Sequence, residues 1–384
     1  MLDLRHRRIV NFDEAQNRYG EEFRKLARAI GEGDPLADQG AADLWEIPVK
    51  GQMEMIDSAL QSARDQTVPR SLHRLVESIR DTPQWVDFEQ VNRGASLILR
   101  SGLLGGITLG AKSLIEGYCA PAGNKPLVFS GQLQKRTAMR LTETARFVEA
   151  VASPEELRPH GDGEEITLKV RLMHARVRGL LSADDRWRDD LWGLPINQHD
   201  MAATIHLFST VFLAGIQFLG LQVSPQEEED FFHLWRYVGF LIGVNEGLLP
   251  RSAREFRRQW EIFELTQAPP DEDSKELTLA LLEGPLRAAK TDEERRRLKR
   301  HTEWAKGVSR ALIGKELADH LGLPENRWTK IAPLLGRSLR SIGAIRRAPF
   351  VDPWLESRGR SYWAQVIKEG PGTPQFLLPQ GLGR

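Results

Sequence analysis

The sequence predicts an all-α protein, and three observations support this fold class. Apolar residues recur at the three- and four-residue spacing of amphipathic helices through most of the 384 residues. No stretch shows the alternation of apolar and polar residues that is typical of a half-buried strand. Glycine and proline, which break helices, gather in short segments between the apolar runs. The chain therefore divides into many helices, which we expect to form one multi-helix domain.

Composition and charge exclude several classes of protein. Apolar residues make up 41% of the chain and charged residues 28%, as in an ordinary soluble globular protein. The 53 Lys and Arg residues balance the 53 Asp and Glu residues, so we expect no nucleic-acid partner. Cys119 is the single cysteine, and it cannot build a disulfide framework or a cysteine-rich metal site. Residues 1–20 lack the apolar core of a signal peptide, which predicts a cytoplasmic protein.

The first helices are predicted from apolar periodicity, and each ends at a helix-breaking glycine or proline. A charged helix over 14–34 ends in closely spaced glycines, and Pro83 ends a helix over 71–83. The apolar, glycine-rich stretch 89–119 predicts two buried helices that pack closely at their glycines. Residues 120–132 are rich in Pro and Gly and predict a loop.

The central part of the chain contains four further predicted helices. They cover residues 133–151, 167–181, 201–221 and 224–244. Asp200 is the predicted N-cap of the third helix, and His199 beside it is expected to be exposed. That helix is long enough to span a bilayer, but His206 and other polar residues within it favour a buried central helix. We therefore expect no stable membrane span. Ser224 and the proline after it predict a well-defined start for the fourth helix.

The C-terminal third continues the helical pattern. Predicted helices cover 274–286, 291–314 and 327–345, and residues 371–384 have the composition of a tail. The charge run 291–300 predicts a solvated helix face.

Common cofactor and metal motifs are missing from the sequence. It contains no CxxCH, CxxC or HExxH motif, which excludes covalent c-type haem and the usual zinc signatures. It also lacks a glycine-rich phosphate loop of the Rossmann or Walker type. A helical di-metal carboxylate site needs paired Glu-x-x-His motifs, whereas the chain offers only Asp230-x-x-His233.

Three histidines, His174, His206 and His233, lie in or beside apolar helices. His174 belongs to an apolar helix stripe, whereas the neighbouring arginines are expected to point away from it. The stripe consists of Val170, Met173, His174, Val177 and Leu181, and the arginines are Arg171, Arg176 and Arg178. A histidine in such a stripe is usually a hydrogen-bonded core residue. The alternative is an axial ligand of haem iron, for which apolar helices provide a slot.

The preceding helix carries a comparable pair of polar residues. Arg140, Thr144, Phe147 and Val151 are spaced so that they share one face of this helix. One interpretation is a structural arginine with a threonine bonded to its own helix. The other is a polar pair that points into an apolar pocket.

Several stretches of the sequence, in this order, resemble one known family. They are "TPQWVDFEQVNRG" at 82–94, "RLTETARFVEAVASP" at 140–154, "VRLMHARVRGLL" at 170–181, "WGLPINQHDMAATIHLFS" at 192–209 and "LWRYVGFLIGVNEGLLP" at 234–250. The family is that of the rubber oxygenases (latex clearing proteins) and the mycophenolic-acid-type oxygenases. The resemblance covers roughly residues 80–250.

The resemblance implies a globin-like core that binds one non-covalent haem b. His174 corresponds to the iron ligand of the family, and we expect an acceptor to hold its Nδ1–H. Arg140 and Thr144 correspond to the polar residues of the distal side. The implied reaction uses O2 on a small apolar, isoprenoid or unsaturated substrate. The resemblance divides the domain into N-terminal helices (1–75), a haem-binding core (76–260) and a C-terminal helical extension (261–384).

The chain also departs from the rubber oxygenases. Glu143 stands where these enzymes carry a lysine, and Asn124 stands where they carry a distal-side glutamate. Two further functions therefore remain open. One is a non-catalytic protein that binds haem or another ligand, and the other is a haem-free helical protein that binds a partner through its basic C-terminal helices.

Overall fold

The structure is a computed structural model that describes residues 4–61, 66–129, 133–342, 351–370, 378–379 and 381. These residues form helices joined by short connections and contain no strand, which confirms the predicted all-α class. The N-terminal helices are α1 (Phe12–Tyr19), α2 (Glu21–Arg28), α3 (Pro35–Trp45), α4 (Val49–Gln61) and α5 (Arg70–Arg80). The central helices are α6 (Phe88–Thr108), α7 (Leu114–Tyr118), α8 (Lys125–Phe129), α9 (Leu133–Ala152), α10 (Asp162–Ser182), α11 (Asp189–Trp192), α12 (Gln198–Phe208), α13 (Thr210–Phe218) and α14 (Pro225–Leu241). The C-terminal helices are α15 (Ala253–Thr266), α16 (Glu272–Arg287), α17 (Asp292–Ile313), α18 (Lys315–His320), α19 (Arg327–Ile342) and α20 (Val351–Glu369).

The main hydrophobic core joins helices from all parts of the chain. Buried side chains from α1 to α6 meet those of α9, α10, α12 to α15 and α20 in one cluster. Helices α16 to α18 build a smaller cluster around α7. The charge run 291–300 is largely exposed along α17, as predicted.

Helices α6 and α7 form one long helical segment, and its glycines pack closely as predicted. Gly102 has φ of 43°, which kinks α6, and a π-helical turn at 109–113 leads into α7. A Cβ added at Gly94 would lie 2.3 Å from the carbonyl oxygen of Asp230 on α14. At Gly359 of α20, an added Cβ would lie 1.6 Å from the carbonyl oxygen of Leu99 on α6. Both glycines therefore allow direct helix-to-helix backbone contact.

Three predictions about helix 201–221 and the residues just before it were wrong. The helical segment breaks at Ser209 (φ −110°, ψ −83°), which separates α12 from α13. Asn197, not Asp200, is the N-cap, because its side chain accepts the N–H of Asp200 at 2.9 Å. The Asp200 carboxylate is instead held by Arg8 at 3.0 Å. His199 is buried, and its Nδ1 donates to the carbonyl of Leu26 at 3.1 Å.

Within the described ranges, two helical segments are long and apolar enough to cross a membrane when judged by length and composition alone. They are Phe88–Tyr118 and Gln198–Phe218, of which the sequence had indicated only the second. In the most apolar 18 residues of each segment, 67% of the first and 56% of the second are buried inside the protein. Core helices of soluble proteins meet the same criterion, so these segments are weak indicators of a membrane span.

Candidate functional site

The three candidate histidines differ in what their ring nitrogens contact. In His206, which is fully buried, Nδ1 lies 2.9 Å from the hydroxyl of Thr210 and Nε2 lies 2.7 Å from Oε1 of Gln259. Burial lowers the pKa of His206 to about 4, so the ring is neutral. Because both nitrogens are engaged, His206 is a structural core residue rather than a free ligand.

His233 is also engaged, and it does not form part of a metal cluster. Its Nε2 accepts the backbone N–H of Asp87 at 3.1 Å. Asp230, the carboxylate three residues earlier, is bound by Arg93 at 2.9 Å. Among the described residues, no group of three or more His, Cys, Asp or Glu side chains is arranged to hold a metal ion. The Asp230-x-x-His233 motif therefore serves to pack α14 against the start of α6.

Among the three candidate histidines, His174 on α10 is the one whose ring nitrogens make no hydrogen bond with the described residues. Its Nδ1 is enclosed without a partner, so the expected acceptor for this nitrogen is not found there. Burial, and secondarily the charge of Arg178, lowers the pKa of His174 to about 4. Part of the side-chain surface nevertheless remains accessible. A neutral imidazole deep in the protein with accessible surface is suited to bind a ligand in an interior space.

The stripe around His174 is more accessible than the sequence predicts. Val170, Met173 and Val177 all retain accessible surface, whereas Leu181 at the end of the stripe is fully buried. Apolar side chains that retain accessible surface beside the imidazole are the kind that would line a ligand slot between helices.

The arginines of α10 were expected to point away from the apolar stripe, and the structure shows that all three are buried. Arg171, Arg176 and Arg178 are 7%, 2% and 3% exposed. Arg171 donates to both carboxylate oxygens of Asp34, at 2.6 and 3.0 Å, and Arg178 donates to Asp38 at 2.8 Å. These pairs fix α10 against α3, because a buried guanidinium is stable only when it is paired. Arg176 donates to the carbonyl of Pro379 at 2.9 Å.

Helix α9 packs against α10 and carries the second pair of predicted site residues. Arg140 and Thr144 are both partly accessible, and the Thr144 hydroxyl makes no hydrogen bond with any described residue. By contrast, Thr204, Thr266 and Thr278 each donate to the carbonyl four residues earlier. The interpretation of Thr144 as a helix-bonded threonine is therefore wrong. Its hydroxyl is free to contact a ligand.

The surroundings of Arg140 include the buried Tyr118, whose carbonyl is bound by a buried asparagine. Burial raises the pKa of Tyr118, and the charge of Arg140 opposes this rise. Asn124 is 1% exposed and donates to the carbonyl of Tyr118 at 2.9 Å, while its Oδ1 has no partner among the described residues. Glu143, the residue in the lysine position, is exposed.

Aromatic side chains connect α9 with α12 and α14. The ring centroid of Phe147 lies 6.1 Å from that of Phe208, and Phe208 stacks on Trp235 at 5.2 Å. Trp235 is 1% exposed, which identifies it as a packing residue. Helix α9, which carries Arg140 and Thr144, therefore packs against aromatic side chains of α12 and α14.

The turn before α12 ties this region to the N-terminal helices. Gln198 donates to the carbonyls of Gly33 and Gly243, both at 2.9 Å, and accepts the N–H of Asn245 at 2.7 Å. The sequence did not reveal this junction, because Gln198 joins segments that are far apart in the chain. The sequence did contain a signal for the buried ion pairs of α10. Asp34 and Asp38 are four residues apart, which places two acids at the start of α3, opposite the buried arginines.

Fold and site together define an all-helical protein with a neutral, unpartnered imidazole on an accessible apolar helix stripe. A family model described as "ER-bound oxygenase mpaB/B'/Rubber oxygenase, catalytic domain" matches residues 99–346. The chain therefore belongs to this family.

Comparison with individual proteins agrees with this membership. The chain is 25% identical over 224 residues to a rubber oxygenase of Streptomyces sp. (strain K30), a match that covers 58% of the chain. This match spans 54%, about half, of the relative's own length. A solved structure of the latex clearing protein LCP in the closed state aligns with a TM-score of 0.68 and 21% identity. That alignment covers 91% of this chain and 95% of the other, and it shows a shared fold.

Proposed function

We propose that this chain is a haem-b-dependent oxygenase that uses O2 on an apolar, isoprenoid-like substrate. Family membership supports the reaction class, and the names of its relatives support the kind of substrate. The observation that carries the cofactor assignment is His174, the candidate histidine with a neutral ring and no competing hydrogen bond.

The residues around His174 fit a haem. A neutral imidazole is a good axial ligand, and the accessible apolar side chains of Val170, Met173 and Val177 suit a flat apolar macrocycle. Haem b, when bound, would supply the iron that activates O2. His174 would bind this iron through Nε2, because Nδ1 is enclosed by protein.

Arg140 and Thr144 would act as donors on the side of the slot formed by α9. The guanidinium and the free hydroxyl would stabilise negative charge that develops on the oxygen substrate during the reaction. Apolar residues such as Phe147 and Phe208 would exclude water, which strengthens these polar contacts. The same apolar surface would bind the hydrocarbon substrate.

Replacement of the proposed ligand tests the cofactor assignment. We expect purified protein reconstituted with haem to show a Soret band, and His174→Ala to lose this band because no other candidate histidine is free. The matched control is His233→Ala, which removes a half-buried histidine of α14 and should retain the band. A Soret band that is unchanged in His174→Ala would show that His174 is not the ligand.

Oxygen uptake distinguishes an oxygenase from a haem carrier. Glu143 favours the carrier as a second candidate function, since it replaces a lysine of the rubber oxygenases and lies at the surface. An oxygenase would consume O2 when a prenyl compound is added to the haem-loaded protein. A carrier would show the haem spectrum without uptake.

A further inference from the structure

A pocket of about 320 Å³ lies between α2, the segment 246–251 and α15. Its volume is within the range of small-molecule sites, which begins at about 300 Å³. None of its lining residues belongs to the stripe that carries His174 or to the α9 pair. It is therefore a separate feature from the proposed haem site.

The inner wall of this pocket is apolar. Leu26, Leu248 and Ile262 line it and are 2%, 6% and 1% exposed. Such a wall would pack against the hydrocarbon part of a ligand.

Each of the three acidic residues in the pocket already has a partner. Glu22 is paired with Arg258 at 2.5 Å, and Glu246 accepts the indole N–H of Trp85 at 2.6 Å. Glu255 accepts the backbone N–H of Arg251 at 2.8 Å. None of the three carboxylates forms an ion pair with Lys25 or Arg251 in the part of the chain that the structure describes.

Two cations at the pocket have no such partner. The side chains of Lys25 and Arg251 line the pocket, are exposed, and form no hydrogen bond or ion pair with the residues that the structure describes. They provide two positive charges on the lining of a partly apolar space.

A third cation, Arg236, is buried close by and forms no ion pair with a described carboxylate. Arg236 is 9% exposed, its guanidinium carbon lies 3.7 Å from the ring centroid of Trp85, and its Nε has no hydrogen-bond partner within the described chain. Burial lowers the pKa of Arg236, the nearby charge of Arg251 lowers it further, and the carboxylates of Glu246 and Glu255 oppose this lowering. Burial of a cation is costly, and an anion bound beside Arg251 would reduce its repulsion with Arg236.

We propose that this pocket binds an organic carboxylate with a short apolar chain as its body. The carboxylate would pair with Lys25 and Arg251, and its negative charge would also offset the repulsion between Arg251 and Arg236. The apolar body would lie against Leu26, Leu248 and Ile262. An alcohol with the same chain offers the apolar contact without the charge, and it should bind far more weakly.

Calorimetric titration of the full-length protein with octanoate tests this site. We expect octanoate to bind at low ionic strength, and Arg251→Gln and Lys25→Gln each to weaken binding about tenfold, which corresponds to loss of one charge-assisted contact. The matched control is Arg337→Gln, which removes an exposed arginine of α19 and should leave the affinity unchanged. Because Lys25 and Arg251 are exposed, their variants should keep the thermal stability of the parent protein.

Three results would overturn the proposal. They are no heat of octanoate binding to the parent protein, equal binding of octanoate and 1-octanol, and unchanged affinity in both Lys25→Gln and Arg251→Gln. None of these measurements depends on haem. A negative result for octanoate would therefore leave the proposed oxygenase function intact.

Discussion

At the scale of single residues, hydrogen-bond partners separate three histidines that look alike in the sequence. His206 has both nitrogens engaged, and His233 accepts a backbone N–H. His174 makes neither kind of contact among the described residues, although its ring lies deep in the protein. A titratable side chain that is enclosed and unpartnered is costly unless something binds it, and this is why His174 marks the candidate site.

Thr144 allows a test of the α9 side of this site at the same scale. Thr144→Val keeps the shape of the side chain and removes a hydroxyl that has no hydrogen-bond partner among the described residues. We expect the free energy of unfolding to change by less than about 0.5 kcal/mol, because no intramolecular bond is lost. Oxygen uptake by the haem-loaded protein should fall, since a donor to the reacting oxygen is removed.

Chemical unfolding and an oxygen electrode measure these two effects on the same preparation. Thr204→Val is the matched control, because the hydroxyl of Thr204 donates to the carbonyl of Asp200 at 2.8 Å. Full oxygen uptake in Thr144→Val would remove this residue from the proposed distal pair.

At the scale of elements, local patterns predicted α9 and α10 but not how α10 is oriented. Periodicity placed Val170, His174 and Val177 on one face, and the structure keeps them together. It placed the arginines of the same helix off this face but did not indicate what they bind. In the structure Arg171 binds Asp34, 137 residues away in the sequence. Pairing between residues so distant leaves no local pattern, so the burial of these arginines could not be predicted.

The contact between α6 and α20 provides a test at this scale. Gly359→Ala would place a Cβ 1.6 Å from the Leu99 carbonyl oxygen, so the two helices would have to separate. We expect a loss of about 3 kcal/mol or more in the free energy of unfolding, at the upper end for overpacking. Gly179→Ala in α10 is the matched control, because an added Cβ there meets nothing within 4 Å.

The control should gain about 0.5–1 kcal/mol, because alanine favours the helix more than glycine does. Urea unfolding curves of both variants measure the difference. Equal stability of Gly359→Ala and the parent protein would contradict the direct backbone contact between α6 and α20.

At the scale of the whole molecule, the all-α class followed from the sequence because helical periodicity is a local property that repeats along the chain. The way in which the helices share one core did not follow, since it depends on junctions such as Gln198 between Gly33 and Gly243. The break at Ser209 was also missed, because the apolar pattern continues through it. For the candidate site, the sequence indicated which residues and helices take part. The structure added which of these side chains form hydrogen bonds within the protein and which do not.

Histidines buried as neutral rings make the stability of the whole molecule depend on pH. Burial lowers the pKa of His199 and of His206 to about 4, whereas an unfolded chain titrates near 6.5. Between these values the unfolded chain binds more protons, so stability is complete above pH 6.5 and is lost as the pH falls toward 4. His206→Gln removes one such group. Between pH 7 and pH 5, we therefore expect the parent protein to lose about 1–2 kcal/mol more unfolding free energy than this variant, as measured by urea unfolding. Identical losses in the two proteins would show that His206 is not buried as a neutral ring.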